Sequence, residues 1–153
     1  MGEGYDVIFD GGTLEHIYSP AAALENIGQC TRTGGVVVHL VPMDNMINHG
    51  FYQFSPKLFF DYYGWNKWEM LLAFYVGKID YEWHVYKANA KVLFEGQLEF
   101  PAKPHSIFMV VGRVEGSTVG VKPTKGIYAV RSSVERKYAN LRDALSQANT
   151  PAK

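Results

Sequence analysis

Apolar and polar positions divide this chain into short segments. Tyr5 to Asp10 (YDVIFD) is an apolar run closed by Gly11-Gly12. It predicts a strand buried on both faces, as in the interior of a parallel sheet. Ser19-Pro20 predicts a helix start, because serine caps free N–H groups and proline at the first helical position has none to lose. Ala21, Leu24 and Ile27 follow at helical spacing, and Gly34-Gly35 are expected to stop the helix. Gly35 to Pro42 (GVVVHLVP) predicts a second buried strand. Strand, helix, strand in this span is a βαβ unit, with parallel neighbouring strands and a right-handed crossover.

Pro42 to Phe54 is a polar loop of mixed character. Ser55-Pro56 repeats the cap signal, and Leu58, Phe59, Tyr62 and Tyr63 form an apolar helix face ending at Gly64. Trp68 to Val76 reads as a strand. Glu82 to Ala90 fits either a strand or an irregular insertion. Val92 to Phe100 alternates and predicts an exposed strand, and Ser106 to Val114 predicts a buried one. Gly116 to Lys125 is a loop. Ser132 with Glu135 resembles a capping box, and Val134, Tyr138, Leu141 and Leu145 predict a final amphipathic helix, fraying from Asn149. There is no internal repeat and no domain linker.

Composition narrows the classes. The 153 residues are 47% hydrophobic and 14% aromatic, which suits one folded domain and excludes wholesale disorder. Fifteen basic residues balance fifteen acidic ones. A nucleic-acid partner is therefore not expected, since binding one needs a cationic surplus. No membrane association is expected either: no apolar run has the roughly 18–20 residues of a span, and Met1 to Tyr5 carries no signal. The single cysteine, Cys30, excludes an intrachain disulfide and a Cys-based zinc site, and fits a cytoplasmic location. With no activating base nearby in sequence, Cys30 is expected to be a buried structural thiol.

Ligands of open parallel sheets sit beyond the carboxyl ends of the strands. Two loops leave such ends here. In the first, Gly11-Gly12 allow close backbone approach to a ligand, or simply a tight turn. Glu15 and His16 beside them are acid, base or hydrogen-bond candidates, or solvated loop residues. In the second, Asn48, His49, Tyr52 and Gln53 accompany Phe51 and Phe54. That mixture suits a small-molecule pocket, or a packed loop whose aromatics belong to the core. A wider pocket would be walled by Phe51, Tyr52, Phe54, Phe59 and Phe60. His39, inside a strand, is expected to be a satisfied core histidine. His16, His39 and His49 lack the spacing of a local metal site, so no metal is expected. No G-x-S-x-G elbow and no phosphate-cradling G-x-x-x-x-G-K-[ST] loop occurs.

Asp10-Gly11-Gly12-Thr13-Leu14-Glu15-His16, Thr33-Gly34-Gly35 and Asn48 to Pro56 (NHGFYQFSP) together resemble class I S-adenosylmethionine-dependent methyltransferases. The resemblance is good over residues 4–66 and looser up to the strand Ser106–Val114. It implies a Rossmann-like three-layer α/β/α fold, here a partial mixed sheet with strands equivalent to 4-5-7-6, the seventh antiparallel. It implies S-adenosylmethionine as cofactor, contacted by Gly11, Gly12, Thr13, Leu14 and His16. It places a small-molecule acceptor at Asn45, Asn48, Tyr52 and Gln53, with His49, or else Glu15, as the base when the acceptor must lose a proton. The family's glycine-rich cofactor turn and its ribose-binding acidic residue are absent from this sequence. Residues 1–115 thus read as the C-terminal half of such a domain and 116–153 as an extension. On that reading Tyr5–Asp10 is an apolar edge, paired with a missing N-terminal half or with a second copy in a homodimer. The alternative is a non-catalytic interaction module, completed by a partner and without activity of its own.

Overall fold

The apolar runs Tyr5–Asp10 and Gly35–Pro42 do form neighbouring strands. A computed structural model of the chain describes residues 4–88 and 103–123. In chain order it contains β1 (Tyr5–Gly11), a 3-10 turn (Leu14–His16), α1 (Pro20–Cys30), β2 (Thr31–Asp44), α2 (Pro56–Trp65), β3 (Glu69–Ile79), β4 (Glu82–Lys87) and β5 (His105–Gly112). The strand expected at Val92–Phe100 and the helix expected on Ser132 and Glu135 lie outside the described residues, as does the extension after residue 123.

The strands form one mixed sheet in the order β1-β2-β5-β3-β4. β1 and β2 are parallel, and β5 runs antiparallel to both β2 and β3. The four strands β1, β2, β5 and β3 follow the order 4-5-7-6 expected above. β4, on the segment that sequence left ambiguous, adds an antiparallel edge through a tight turn at Asp80-Tyr81.

α2 begins where Ser55 accepts a hydrogen bond from the Lys57 N–H, as its cap signal requires. Ser19 holds the N-cap position of α1 but makes no side-chain cap bond; its carbonyl accepts from the Ala23 N–H. Gly34-Gly35 do not stop α1. The helix ends at Cys30, and both glycines lie inside β2 at a register shift against β1. Gly34 takes φ +82°, and a Cβ on Gly35 would meet the Tyr5 carbonyl oxygen at 2.8 Å. Two glycines fit a bulge pressed against a neighbouring strand as well as they fit a helix end. Cys30 is exposed rather than buried, at the end of α1 beside the open edge strand β1.

Alternation along β2 and β5 puts Val37, His39, Val41, Ile107, Met109 and Val111 on one buried face. Leu24 of α1 and Phe59, Phe60, Tyr62 and Tyr63 of α2 complete that core. Phe54 also joins it, so of the aromatics expected to wall a pocket Phe54, Phe59 and Phe60 are core residues, whereas Phe51 is exposed. The described residues thus form two layers, with the described helices in one core cluster, and not the expected three. On the opposite face, Val7 pairs in register with Val36, Phe9 with Val38, and Val38 with Val110. This second face is apolar too. At β1 it is open: Tyr5, Val7 and Phe9 are 67%, 59% and 65% exposed. The expectation that β1 is buried on both faces is met on its Ile8–Asp10 side only. Among the described residues no helix is long and apolar enough to cross a membrane.

Candidate functional site

The site grows from the ends of β1 and β2, which lie side by side with Asp10 in register with His39. Asp10 is buried, so its carboxylate must be fully engaged. Oδ1 accepts the backbone N–H groups of Thr13 (3.2 Å) and Leu14 (3.1 Å), which shapes the 3-10 turn. Oδ2 lies 2.7 Å from His39 Nδ1, and His39 Nε2 lies 2.6 Å from the Tyr63 hydroxyl. Burial, assisted by the neighbouring Tyr62 and Asp10, pushes the Tyr63 phenol well above its ordinary pKa of 10.0. Tyr63 therefore keeps its proton and donates it to Nε2, and Nδ1–H donates to Asp10. His39 is the satisfied core histidine that its place in a strand suggested. Its partners were not evident from sequence. The parity of two parallel strands ending together is the signal that would have paired it with Asp10.

The turn fixed by Asp10 carries Leu14, Glu15 and His16. Leu14 is anchored in the core. Glu15 is buried beside it, and His16 points outward, half exposed. The loop after β2 closes over this turn. Asn45 starts the loop in the left-handed region at φ +53°, a conformation asparagine tolerates. The Phe51 N–H donates to the Glu15 carbonyl at 2.8 Å, and the Tyr52 hydroxyl donates to the Tyr18 carbonyl at 2.8 Å. Gly50 makes the approach feasible: it has φ +72°, and a Cβ there would sit 2.8 Å from the Glu15 carbonyl oxygen. The loop so held brings His49 Nε2 to 3.2 Å from Glu15 Oε1, while His16 Nε2 lies 3.8 Å from the same oxygen. Glu15 Oε2 is buried without a hydrogen-bond partner.

Beside this cluster a cleft of about 580 Å³ opens at the carboxyl ends of β1 and β2. Of the residues expected at a site, Gly11, Gly12, Glu15, Asn45, Asn48 and His49 line it. Pro104 and Ser106, at the start of β5, add a wall that sequence reading had not included. Thr13 lies on the turn through its N–H to Asp10, and Leu14 is in the core. Tyr52 and Gln53 do other work. Tyr52 stacks on Phe54, and Gln53 Oε1 accepts the Met46 N–H at 2.8 Å, which sets the shape of the loop.

No protein-family model matches this chain, and neither a curated protein nor a solved structure does.

Proposed function

We propose that this chain supplies the acceptor side of an S-adenosylmethionine-dependent methyl transfer to a small molecule. The observation that carries the reading is the cleft. Gly11, Gly12, Asn45, Asn48 and His49 come from two loops far apart in sequence and meet at the carboxyl ends of parallel strands. The strand order β1-β2-β5-β3 with an antiparallel β5 is consistent with it.

The residues present fit one side of the cofactor. Gly12 lines the cleft with no side chain of its own, so a flat or extended ligand can lie against its backbone, while at Gly11, which also lines the cleft, the Phe9 ring fills the place of a Cβ. When bound, the cofactor supplies an electrophilic methyl group. Asn45 and Asn48 offer both donors and acceptors to orient an acceptor. Glu15 Oε1 accepts from His49 Nε2–H, which leaves Nδ1 as the basic nitrogen. That nitrogen takes a proton when the acceptor must lose one. A further segment or partner lying on the open apolar face of β1 would complete the cofactor's enclosure.

Amide chemical shifts of the isotope-labelled chain test this reading. Millimolar S-adenosylmethionine is expected to move the signals of Gly11, Gly12, Glu15 and His16, weakly and with fast exchange. No movement at that concentration, or movement confined to β3 and β4, defeats it.

The exposed Tyr5, Val7 and Phe9 favour a second reading, in which the chain is a non-catalytic module that pairs through β1. Sedimentation showing a monomer at every concentration removes self-pairing.

A further inference from the structure

Glu15, His16 and His49 form a cluster whose chemistry differs from that of the rest of the cleft. One candidate ligand atom from each lies within 4.8 Å of the others. The three come from two loops, and Gly50 together with the Phe51 N–H to Glu15 carbonyl bond sets one loop on the other. The Glu15 carboxylate is 1% exposed and faces both imidazoles, which are 51% and 54% exposed. Burying a carboxylate is costly unless every lone pair is compensated. Here Oε1 has the His49 Nε2–H and Oε2 has nothing. Asp10, a few residues upstream, shows what full compensation looks like, with three N–H donors. Glu15 is held in place with one oxygen uncompensated, next to two half-exposed imidazoles whose Nε2 atoms face its other oxygen.

We propose that Glu15, His16 and His49 bind a divalent transition-metal ion of the zinc type. Two imidazoles and one carboxylate suit such ions, whereas magnesium prefers an all-oxygen octahedral shell. Ligand bonds of about 2.0–2.1 Å put tetrahedral ligands roughly 3.3 Å apart. The 3.2 Å separation between Glu15 Oε1 and His49 Nε2 is close to that edge, and the longer 3.8 Å separation from His16 Nε2 closes by a small rotation of a half-exposed side chain. The cation supplies the charge that Glu15 lacks, and the cleft beside Glu15 and His49 leaves room for an exogenous ligand. Metal binding displaces the proton on His49 Nε2, so that with metal present His49 is a ligand and no longer the base of the acceptor site. The inference does not depend on methyl transfer, and its test reads the metal alone.

The test is titration of the full, untagged chain with cobalt(II) chloride, followed by visible absorption and by zinc competition. The wild-type chain is expected to develop ligand-field bands that zinc abolishes. Glu15→Gln, His16→Ala and His49→Ala are each expected to weaken cobalt binding by at least roughly tenfold. His84→Ala, on β4 away from the cluster, is expected to change nothing. Equal affinity of Glu15→Gln and wild type overturns the proposal, as does the absence of cobalt bands. If a variant fails to fold, paramagnetic broadening in the wild-type chain decides the matter. Broadening centred on Gly12, Glu15, His16 and His49 supports the site, and broadening centred anywhere else overturns it.

Discussion

Asp10–His39 and Glu15–His49 are the same pair of side-chain types on either side of one glycine turn, and they end in opposite conditions. Asp10 is buried with both oxygens engaged, and its histidine passes the chain of hydrogen bonds on to Tyr63. Glu15 is just as buried, but one oxygen has no partner and its histidine is half exposed at the rim of a cleft. A closed network fixes a single arrangement and has nothing left to offer a ligand. The open one holds unspent electrostatic attraction. The closed pair also builds the open one, because Asp10 shapes the turn that presents Glu15 and His16. The comparison predicts large stability effects on the Asp10 side and small ones on the Glu15 side, with ligand effects reversed.

The largest effect is expected for Asp10→Ala. It strands the N–H groups of Thr13 and Leu14 and the Nδ1–H of His39 in a buried setting. Breaking a buried charged network in this way costs about 3–5 kcal/mol. Urea unfolding measures it, and a loss below about 1 kcal/mol would show that Asp10 is not the keystone described.

Tyr63→Phe comes next. It removes the donor to His39 Nε2, for an expected loss of about 1–2 kcal/mol at neutral pH. It also changes the alkaline limb. The folded-state pKa of Tyr63 is raised by burial, so its contribution is complete below about pH 10, where the unfolded tyrosine keeps its proton. Above that pH the unfolded state ionises first and stability falls. Tyr63→Phe is expected to be less stable at pH 7 yet to lose less stability between pH 10 and 11. Parallel curves for the two proteins would mean that the Tyr63 proton is not held as the buried hydrogen bond implies.

The parts of this comparison differed in how legible they were. β1, α1 and β2 could be read because contiguous apolar runs and a Ser-Pro start leave few alternatives. What covers the outer face of β1 could not, since Tyr5, Val7 and Phe9 are apolar whether or not anything lies on them. Gly34-Gly35 misled because a helix end and a bulge both need glycine. His39 was legible as a core residue, but Tyr63 was not legible as its partner, because helical spacing does not fix how α2 rolls against the sheet. The Glu15, His16 and His49 cluster escaped a search for local spacing, since two loops contribute to it and only the fold brings them together. Asn45, Asn48 and His49 were expected at a ligand site and do line the cleft. Tyr52 and Gln53, from the same loop, were diverted because the loop needs them to hold itself to Tyr18 and Met46.

Glu15→Gln sharpens the comparison from the open side. Replacing a buried carboxylate that has one oxygen without a partner with a neutral isostere removes a charge-desolvation cost and keeps an oxygen for His49 Nε2–H. In metal-free buffer the variant is expected to be as stable as wild type or up to about 1 kcal/mol more stable, by thermal or urea unfolding. A loss of more than about 2 kcal/mol would make Glu15 a structural residue like Asp10, and the contrast between them would fail.

The smallest stability effect is expected for His49→Ala, and it is the most discriminating. His49 is half exposed, and its one side-chain hydrogen bond goes to Glu15 at the cleft rim. Surface substitutions of this kind change stability by about 0.5 kcal/mol or less. Unfolding in metal-free buffer should therefore barely register the change. Added zinc should separate the two proteins, because a metal bound only by the folded state raises its stability, and the gain grows with the logarithm of free metal above the dissociation constant. Wild type is expected to gain stability with zinc and His49→Ala to gain little. If both gain equally, the stabilising zinc sits elsewhere, and the imidazole at position 49 is no more than a loop residue resting on a buried acid.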